Sequence, residues 1–245
     1  MGRPPATELA PGVYRIPTTP GDFVNVFAFV DDDGQVTLVD CGYFTAPKRI
    51  VAALRHIGSD PSNVTRILLT HAHGDHAGGV AKLRKLTGAS VAVHPREADN
   101  VRTGKPPDVE RLTLFARLTR MLPGDSFTPV EPDEELHDGQ TIPVAGGVQV
   151  IHTPGHTPGH VSLLHRPTGV LLTGDSLFNW RGRMSLPSLT YCASVGLTKE
   201  SARALGELEY DLVGFTHGPE IRDRARESVR GFLRTQGLGP VARST

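Results

Sequence analysis

Apolar and polar positions change rhythm several times along the chain, and each rhythm predicts an element. Residues 13–16, 23–30 and 36–39 carry the short apolar or alternating runs of β-strands, and the polar Asp31-Asp32-Asp33-Gly34 predicts a turn between the last two. This part reads as a β-meander. Thr45 can cap a helix in which Ile50, Val51, Leu54 and Ile57 recur at helical spacing and Gly58 marks the stop. Residues 66–70 form an apolar run of buried-strand type. Val80, Leu83 and Leu86 predict a helix ending at Gly88, and a strand follows over residues 90–94. In the second half, strands are expected near residues 141–144, 148–152, 161–165, 170–173 and 212–216, with helices over 198–209 and about 223–234.

Strands and helices in both halves predict an α+β fold in which two mixed sheets pack face to face with helices outside. No repeat or long linker divides the chain, so residues 1–245 read as one domain. A helical insertion is expected at about 95–133, where Leu112, Phe115, Leu118 and Leu122 recur every three or four residues. That stripe can pack on the body, cover a site or make a homodimer contact.

Composition narrows the partners. Lys and Arg number 26 and Asp and Glu 26, a formal net charge of zero that supplies no general field for a polyanion, so no nucleic-acid partner is expected. No secretory signal or membrane-spanning apolar run is visible, and Cys41 and Cys192 are too few for a disulfide scaffold. The expectation is a cytoplasmic protein with no membrane partner.

The 11 histidines change the picture through their placement, because three fall among residues 71–76. In Thr70-His71-Ala72-His73-Gly74-Asp75-His76, directly after a buried strand, His71 and His73 point the same way on extended chain. Asp75 and His76 follow where the chain turns into a helix. Four ligand-type side chains on one short loop exceed what a single tetrahedral catalytic metal takes, which argues for two metals. His156, Asp175 and His217 each stand beside glycine after a short apolar run, where loops of a sheet edge converge.

These residues, in this order from Asp40 to His217, resemble the metallo-β-lactamase superfamily. The resemblance implies an αββα sandwich with the metals at one edge of the paired sheets. It implies that His71, His73 and His156 hold one metal, that Asp75, His76 and His217 hold the other, and that Asp175 bridges them. The cofactors implied are two divalent ions, zinc first, with manganese or iron as alternatives. Asp40, in Asp40-Cys41-Gly42, resembles the acid that orients the histidine loop, although an acid capping a turn fits the same position. His160 can belong to the surroundings of the ligands, while His56, His94, His137, His152 and His165 read as surface or packing residues.

The implied activity is hydrolysis of an ester-like acyl substrate, a thioester, lactone or ester, through a hydroxide bridging the two ions. Asp75 and Asp175 are the candidate catalytic carboxylates. The acid at Asp175 is closer to the glyoxalase II thioesterases and acylhomoserine lactonases than to true β-lactamases, which carry Cys or Ser there. Lactonases place a proton-donating Tyr three residues after the bridging Asp, whereas this chain has Phe178, and Tyr191 offers a substitute donor. The Lys-x-x-Asn-Pro-Phe stretch and helical domain of glyoxalase II are not found, so glutathione thioesters are not expected. A mononuclear iron persulfide dioxygenase on the same frame, or a β-lactam hydrolase, is the alternative.

Overall fold

A computed structural model of the chain describes residues 4–110 and 126–239. Its first sheet has seven strands in sequential order: β1 (Thr7–Ala10), β2 (Val13–Pro17), β3 (Asn25–Val30), β4 (Val36–Val39), β5 (Val64–Leu68), β6 (Ser90–Val93) and β7 (Glu134–Glu135). The pairs from β1 to β4 are antiparallel and those from β4 to β7 are parallel. Parallel neighbours need crossovers: α1 (Pro47–His56) lies between β4 and β5, and α2 (Gly74–Ala77) with α3 (Val80–Thr87) between β5 and β6.

The second sheet runs β14-β11-β10-β9-β8. It comprises β8 (Thr141–Ile142), β9 (Val148–His152), β10 (Val161–His165), β11 (Val170–Leu172) and β14 (Leu212–Gly214). Only the β11–β14 pair is parallel. A hairpin of β12 (Phe178–Trp180) and β13 (Arg183–Ser185) stands apart. Helices α4 (Pro95–Thr103), α5 (Val195–Glu207) and α6 (Ala225–Thr235) complete the described elements.

The continuous apolar runs have a simple cause: both faces of each sheet are covered. Phe27, Phe29, Val39 and Leu68 of the first sheet share the central core with Val150, Leu163 and Leu172 of the second. Their neighbours point outward: Ala28, Leu38 and Ile67 pack with Ile50 and Leu54 of α1 and Leu83 of α3. On the far side, Leu164, Leu171 and Val213 meet Leu205 of α5 and Val229 and Leu233 of α6. Period-two alternation thus builds an αββα sandwich of four layers.

Several expected bounds shift. Helix α1 starts at Pro47 after Ala46, so Thr45 does not cap it, whereas α5 starts earlier than expected because Ser194 accepts the Leu197 N–H. Within residues 95–133, Pro95–Thr103 forms α4 and buries Ala98 and Val101 in the core beside Phe127 and Val130. The helix expected through Leu112, Phe115, Leu118 and Leu122 lies outside the described residues. Among the described residues, no helix is long and apolar enough to cross a membrane.

The central layer should dominate stability. Leu163→Ala, in the buried inter-sheet core, should lower unfolding free energy by about 2–5 kcal/mol in a urea titration. Leu86→Ala, at a side chain 54% exposed, should stay within about 0.5 kcal/mol of the parent. Equal shifts for the two would contradict the four-layer packing.

Candidate metal centre

Strands β4, β5, β6, β9, β11 and β14 all end at one rim, and the segments that follow them carry Asp40, residues 70–76, Glu97, His156, Asp175 and His217. The two sheets are joined there by backbone: the Val161 N–H donates to the Thr70 carbonyl at 3.0 Å.

Residues far apart in sequence converge on this rim. His71 Nε2 lies 3.0 Å from His73 Nδ1, which lies 2.9 Å from His156 Nε2. Asp175 is set between this triplet and a second group. Its Oδ2 is 3.2 Å from His156 Nε2, and its Oδ1 is 3.2 Å from His76 Nε2 and 3.3 Å from His217 Nε2. The Asp75 carboxylate is 3.5 Å from His217 Nε2 and 3.9 Å from His76 Nε2. His71, His73 and His156 form one set able to hold an ion; Asp75, His76 and His217 form another; His71, His76 and Asp175 form a third spanning them.

The atoms turned inward suit cations. Imidazole nitrogens at hydrogen-bond separation compete for protons, and buried His76 Nε2 and Asp175 Oδ1 face each other at 3.2 Å without a well-formed hydrogen bond to any described residue. The donor set is nitrogen and carboxylate oxygen, as zinc and related divalent ions prefer. On this chemistry the residues fit divalent metal ions. The outward nitrogens are engaged, which orients the rings. His76 Nδ1 faces Asp40 Oδ2 at 2.7 Å, His217 Nδ1 donates to the Phe23 carbonyl at 2.6 Å, and His156 Nδ1 lies 3.8 Å from Cys192 Sγ.

Asp40 organises the histidine loop. It is a non-glycine residue with φ of 63°, a conformation that costs energy and is kept here by its contacts. Its carboxylate accepts the Thr70 N–H at 2.8 Å and the Thr70 hydroxyl at 2.8 Å as well as facing His76. The Thr70 hydroxyl in turn stands 3.1 Å from His71 Nδ1. The loop then passes close to its neighbours: a Cβ at Gly78 would stand 2.2 Å from the Gly74 carbonyl oxygen, so only glycine fits.

His160 serves Asp175. Its Nε2 accepts the Asp175 N–H at 2.8 Å, which leaves Nδ1 to donate to Thr153 Oγ1 at 2.8 Å. Burial, with His156 nearby, pushes the His160 pKa down to about 3, so the ring stays neutral as this pairing requires. Gly174 admits the approach, since a Cβ there would stand 2.6 Å from His160 Nε2. Of the remaining histidines, His94 and His152 stack at 4.3 Å, His165 is buried with its nitrogens on Thr168 and Ala145, and His137 is exposed.

Two groups escaped the sequence reading. Buried Glu97 accepts the Ala72 N–H at 3.0 Å and the Gly159 N–H at 2.7 Å. Its signal was positional, an acid four residues beyond a strand parallel to the one that precedes the histidine loop. Arg15, 3% exposed, pairs with Asp22 and Glu220 at 2.9 Å each, and Asn25 Nδ2 donates to the Gly218 carbonyl at 2.8 Å. Together they fix the segment around His217, and nothing in a run of separate polar residues announces such a cluster.

Comparison with known proteins agrees with the geometry. The model of the metallo-beta-lactamase superfamily matches residues 19–217. The chain belongs to the metallo-beta-lactamase superfamily. Its relatives in the superfamily include a probable metallo-hydrolase of Bacillus subtilis, 29% identical over 69% of this chain and 66% of that protein. A hydroxyacylglutathione hydrolase of Xanthomonas euvesicatoria is 31% identical over 63% of this chain, which matches only 46% of that enzyme's length. A metallo-beta-lactamase family protein from Thermus thermophilus superposes with a TM-score of 0.70 at 25% identity, covering 94% of this chain and 81% of that one. This superfamily member is a metal-dependent hydrolase.

Without ions, protons would balance charge at this centre. Burial disfavours a charged His156, but Asp175 beside it outweighs that and raises the pKa from its ordinary 6.5 to about 9. Burial likewise opposes charge on His76 and His217, and Asp175 again prevails, so both are raised. Burial would raise the Asp175 pKa, yet His217, His76 and His156 hold it well below the usual carboxylate range.

Ligation needs neutral imidazole, so zinc binding at pH 7 should expel protons. Calorimetry in buffers of different ionisation enthalpy should read that release, and a buffer-independent heat would contradict it. Folded His156 binds more protons than the unfolded chain between pH 6.5 and about 9. Its contribution to metal-free stability is therefore full below 6.5 and lost as the pH rises to 9.

Proposed function

We propose that residues 1–245 act as a single-domain binuclear hydrolase of an apolar, ester-like acyl substrate: a thioester, lactone or ester. The observation that carries the reading is the position of Asp175, whose two carboxylate oxygens face different ligand sets at 3.2–3.3 Å. His71, His73 and His156 would hold the first ion and Asp75, His76 and His217 the second, with Asp175 reaching both; zinc is the ion favoured. When bound, such ions supply Lewis acidity towards water and an acyl carbonyl.

The chain's own residues set the rest. His71, His73 and His156 come from opposite sheets and fix one wall; the pairings of Asp40 and Phe23 prevent His76 and His217 from turning away. Asp75 is the ligand-set carboxylate more open to solvent, with 22% of its side chain exposed against 5% for Asp175. It is therefore the group placed to take up and return a proton at Oδ2, 3.5 Å from His217 Nε2. Phe178, edge-on to His217 at 4.4 Å, has no proton to give.

Apolar preference is supported by the surface beside His217. Phe23 and Trp180 meet edge to face at 4.6 Å, and the Phe23 ring is 5.6 Å from that of His217. Both remain about two-fifths exposed, at 39% and 40%. Uncovered aromatic surface next to reacting groups suits an acyl chain or aromatic leaving group rather than a highly charged one. The zero net charge gives no support to a nucleic-acid partner. The hydroxyacylglutathione hydrolase relative favours a thioester within the acyl class, and its unmatched length leaves the thiol portion open.

The test joins metal analysis to a substrate series. The parent should carry two divalent ions and hydrolyse thioesters, lactones or aryl esters with a rate that rises with acyl chain length. His156→Ala should lower kcat by more than about 100-fold, beyond the loss typical for residues that merely support a ligand. Trp180→Ala should lower kcat/KM about 10-fold for the longest chains and little for acetyl substrates. One iron per chain with oxygen consumption, or an unchanged chain-length profile in Trp180→Ala, would contradict the proposal.

A further inference from the structure

Glu97 presents an unusual arrangement for a fully buried carboxylate. Its residue surface is 0% exposed, and both oxygens accept backbone N–H groups, with the Thr157 hydroxyl as a further partner. The two donors belong to different sheets. Ala72 lies between His71 and His73 in the loop after β5, and Gly159 closes the turn that follows β9 and carries His156. Burying a carboxylate is costly, and apolar side chains could have filled the same volume at less expense. What the carboxylate supplies instead is two charge-assisted hydrogen bonds to two ligand loops at once.

The seat of Glu97 is rigid. It lies in the first turn of α4, where the His94 side chain accepts the Arg96 N–H and the Glu97 N–H donates to the His94 carbonyl at 2.8 Å. Ala98 and Val101 of the same helix are buried in the core. Contact with Gly159 is close: a Cβ there would stand 2.8 Å from Glu97 Cγ and 2.9 Å from His94 Nδ1. The helix, the turn and the histidine loop therefore have little freedom to slide past one another.

We propose that Glu97 is a positioning residue for the first metal position, holding the His71–His73 segment and the His156 turn in register so that their imidazoles converge before an ion arrives. The second set, Asp75, His76 and His217, is held by other groups: Asp40, the Phe23 carbonyl and the Arg15–Asp22–Glu220 cluster. The effect of Glu97 should be confined to the first set. This inference rests on the binuclear reading for its metal measurements but not for its measurement on the metal-free chain.

Glu97→Gln is the direct variant. An amide keeps one acceptor oxygen but turns an NH2 towards the other N–H, which leaves one backbone donor buried and unpaired. In the metal-free chain, hydrogen exchange at Ala72 or Gly159 should accelerate roughly 10-fold or more, with residues 214–218 unchanged. Cobalt titration against a chelator should show first-position affinity falling about 10- to 100-fold. Second-position affinity should stay at the parent value. His217→Ala and His156→Ala, which retain only the first and second positions respectively, assign the two affinities.

Gly159→Ala presses on the same contact with the carboxylate intact and should also weaken the first position, so a Glu97 variant that fails to fold does not end the test. Parental exchange and parental first-position affinity in the variants would overturn the proposal, as would equal weakening of both positions. A parent chain that takes up only one ion would instead contradict the binuclear reading, and exchange at Ala72 and Gly159 would still decide the role of Glu97.

Discussion

A buried anion placed among imidazoles is the constraint on which the rest of this structure depends. The Asp175 carboxylate is almost closed to solvent and touches His76, His156 and His217. Taking a carboxylate out of water costs several kcal/mol, so positive charge must be delivered to it, as protons on the rings or as metal ions. Delivering that charge on both oxygens requires ligands from both sheets, and the rim where six strands end is where both can reach. The four-layer sandwich serves this by covering both faces of each sheet and leaving that edge free to carry polar loops.

Around that centre the chain spends stability on orientation. Asp40 is held at positive φ, His160 is buried neutral to accept one N–H, and Glu97 is a carboxylate inside the fold. Each is unfavourable in isolation, and each is hydrogen-bonded to a residue of the candidate metal centre or to a loop that carries one. Strain and buried polarity of this kind gather at functional sites, where rigid geometry is worth more than local stability. The aromatic surface of Phe23 and Trp180 is the opposite case, apolar area left in water beside His217, and it supports the proposed apolar substrate.

How far the sequence disclosed this depended on whether the signal was local. Residues 148–152 and 161–165 carry a strand pattern strong enough to fix both ends of β9 and β10. The cluster at residues 71–76 announces its chemistry because four ligand-type side chains crowd one loop. Asp40 was legible as an orienting or capping acid, and the structure gives it both roles by placing it on Thr70 and His76. Glu97 was not legible: its helix has an apolar face of only Ala98 and Val101, and its partners are backbone groups 25 and 62 residues away. The strands Thr7–Ala10 and Glu134–Glu135 were missed for a related reason, since short edge strands owe their conformation to the neighbour they pair with.

The most direct measurement is anomalous diffraction from crystals of the zinc-loaded protein, with data collected on either side of the zinc absorption edge. The account predicts two peaks per chain, one enclosed by His71, His73 and His156, the other by Asp75, His76 and His217, with one Asp175 oxygen within bonding distance of each. A single peak, or two peaks with Asp175 bound to neither, would contradict it.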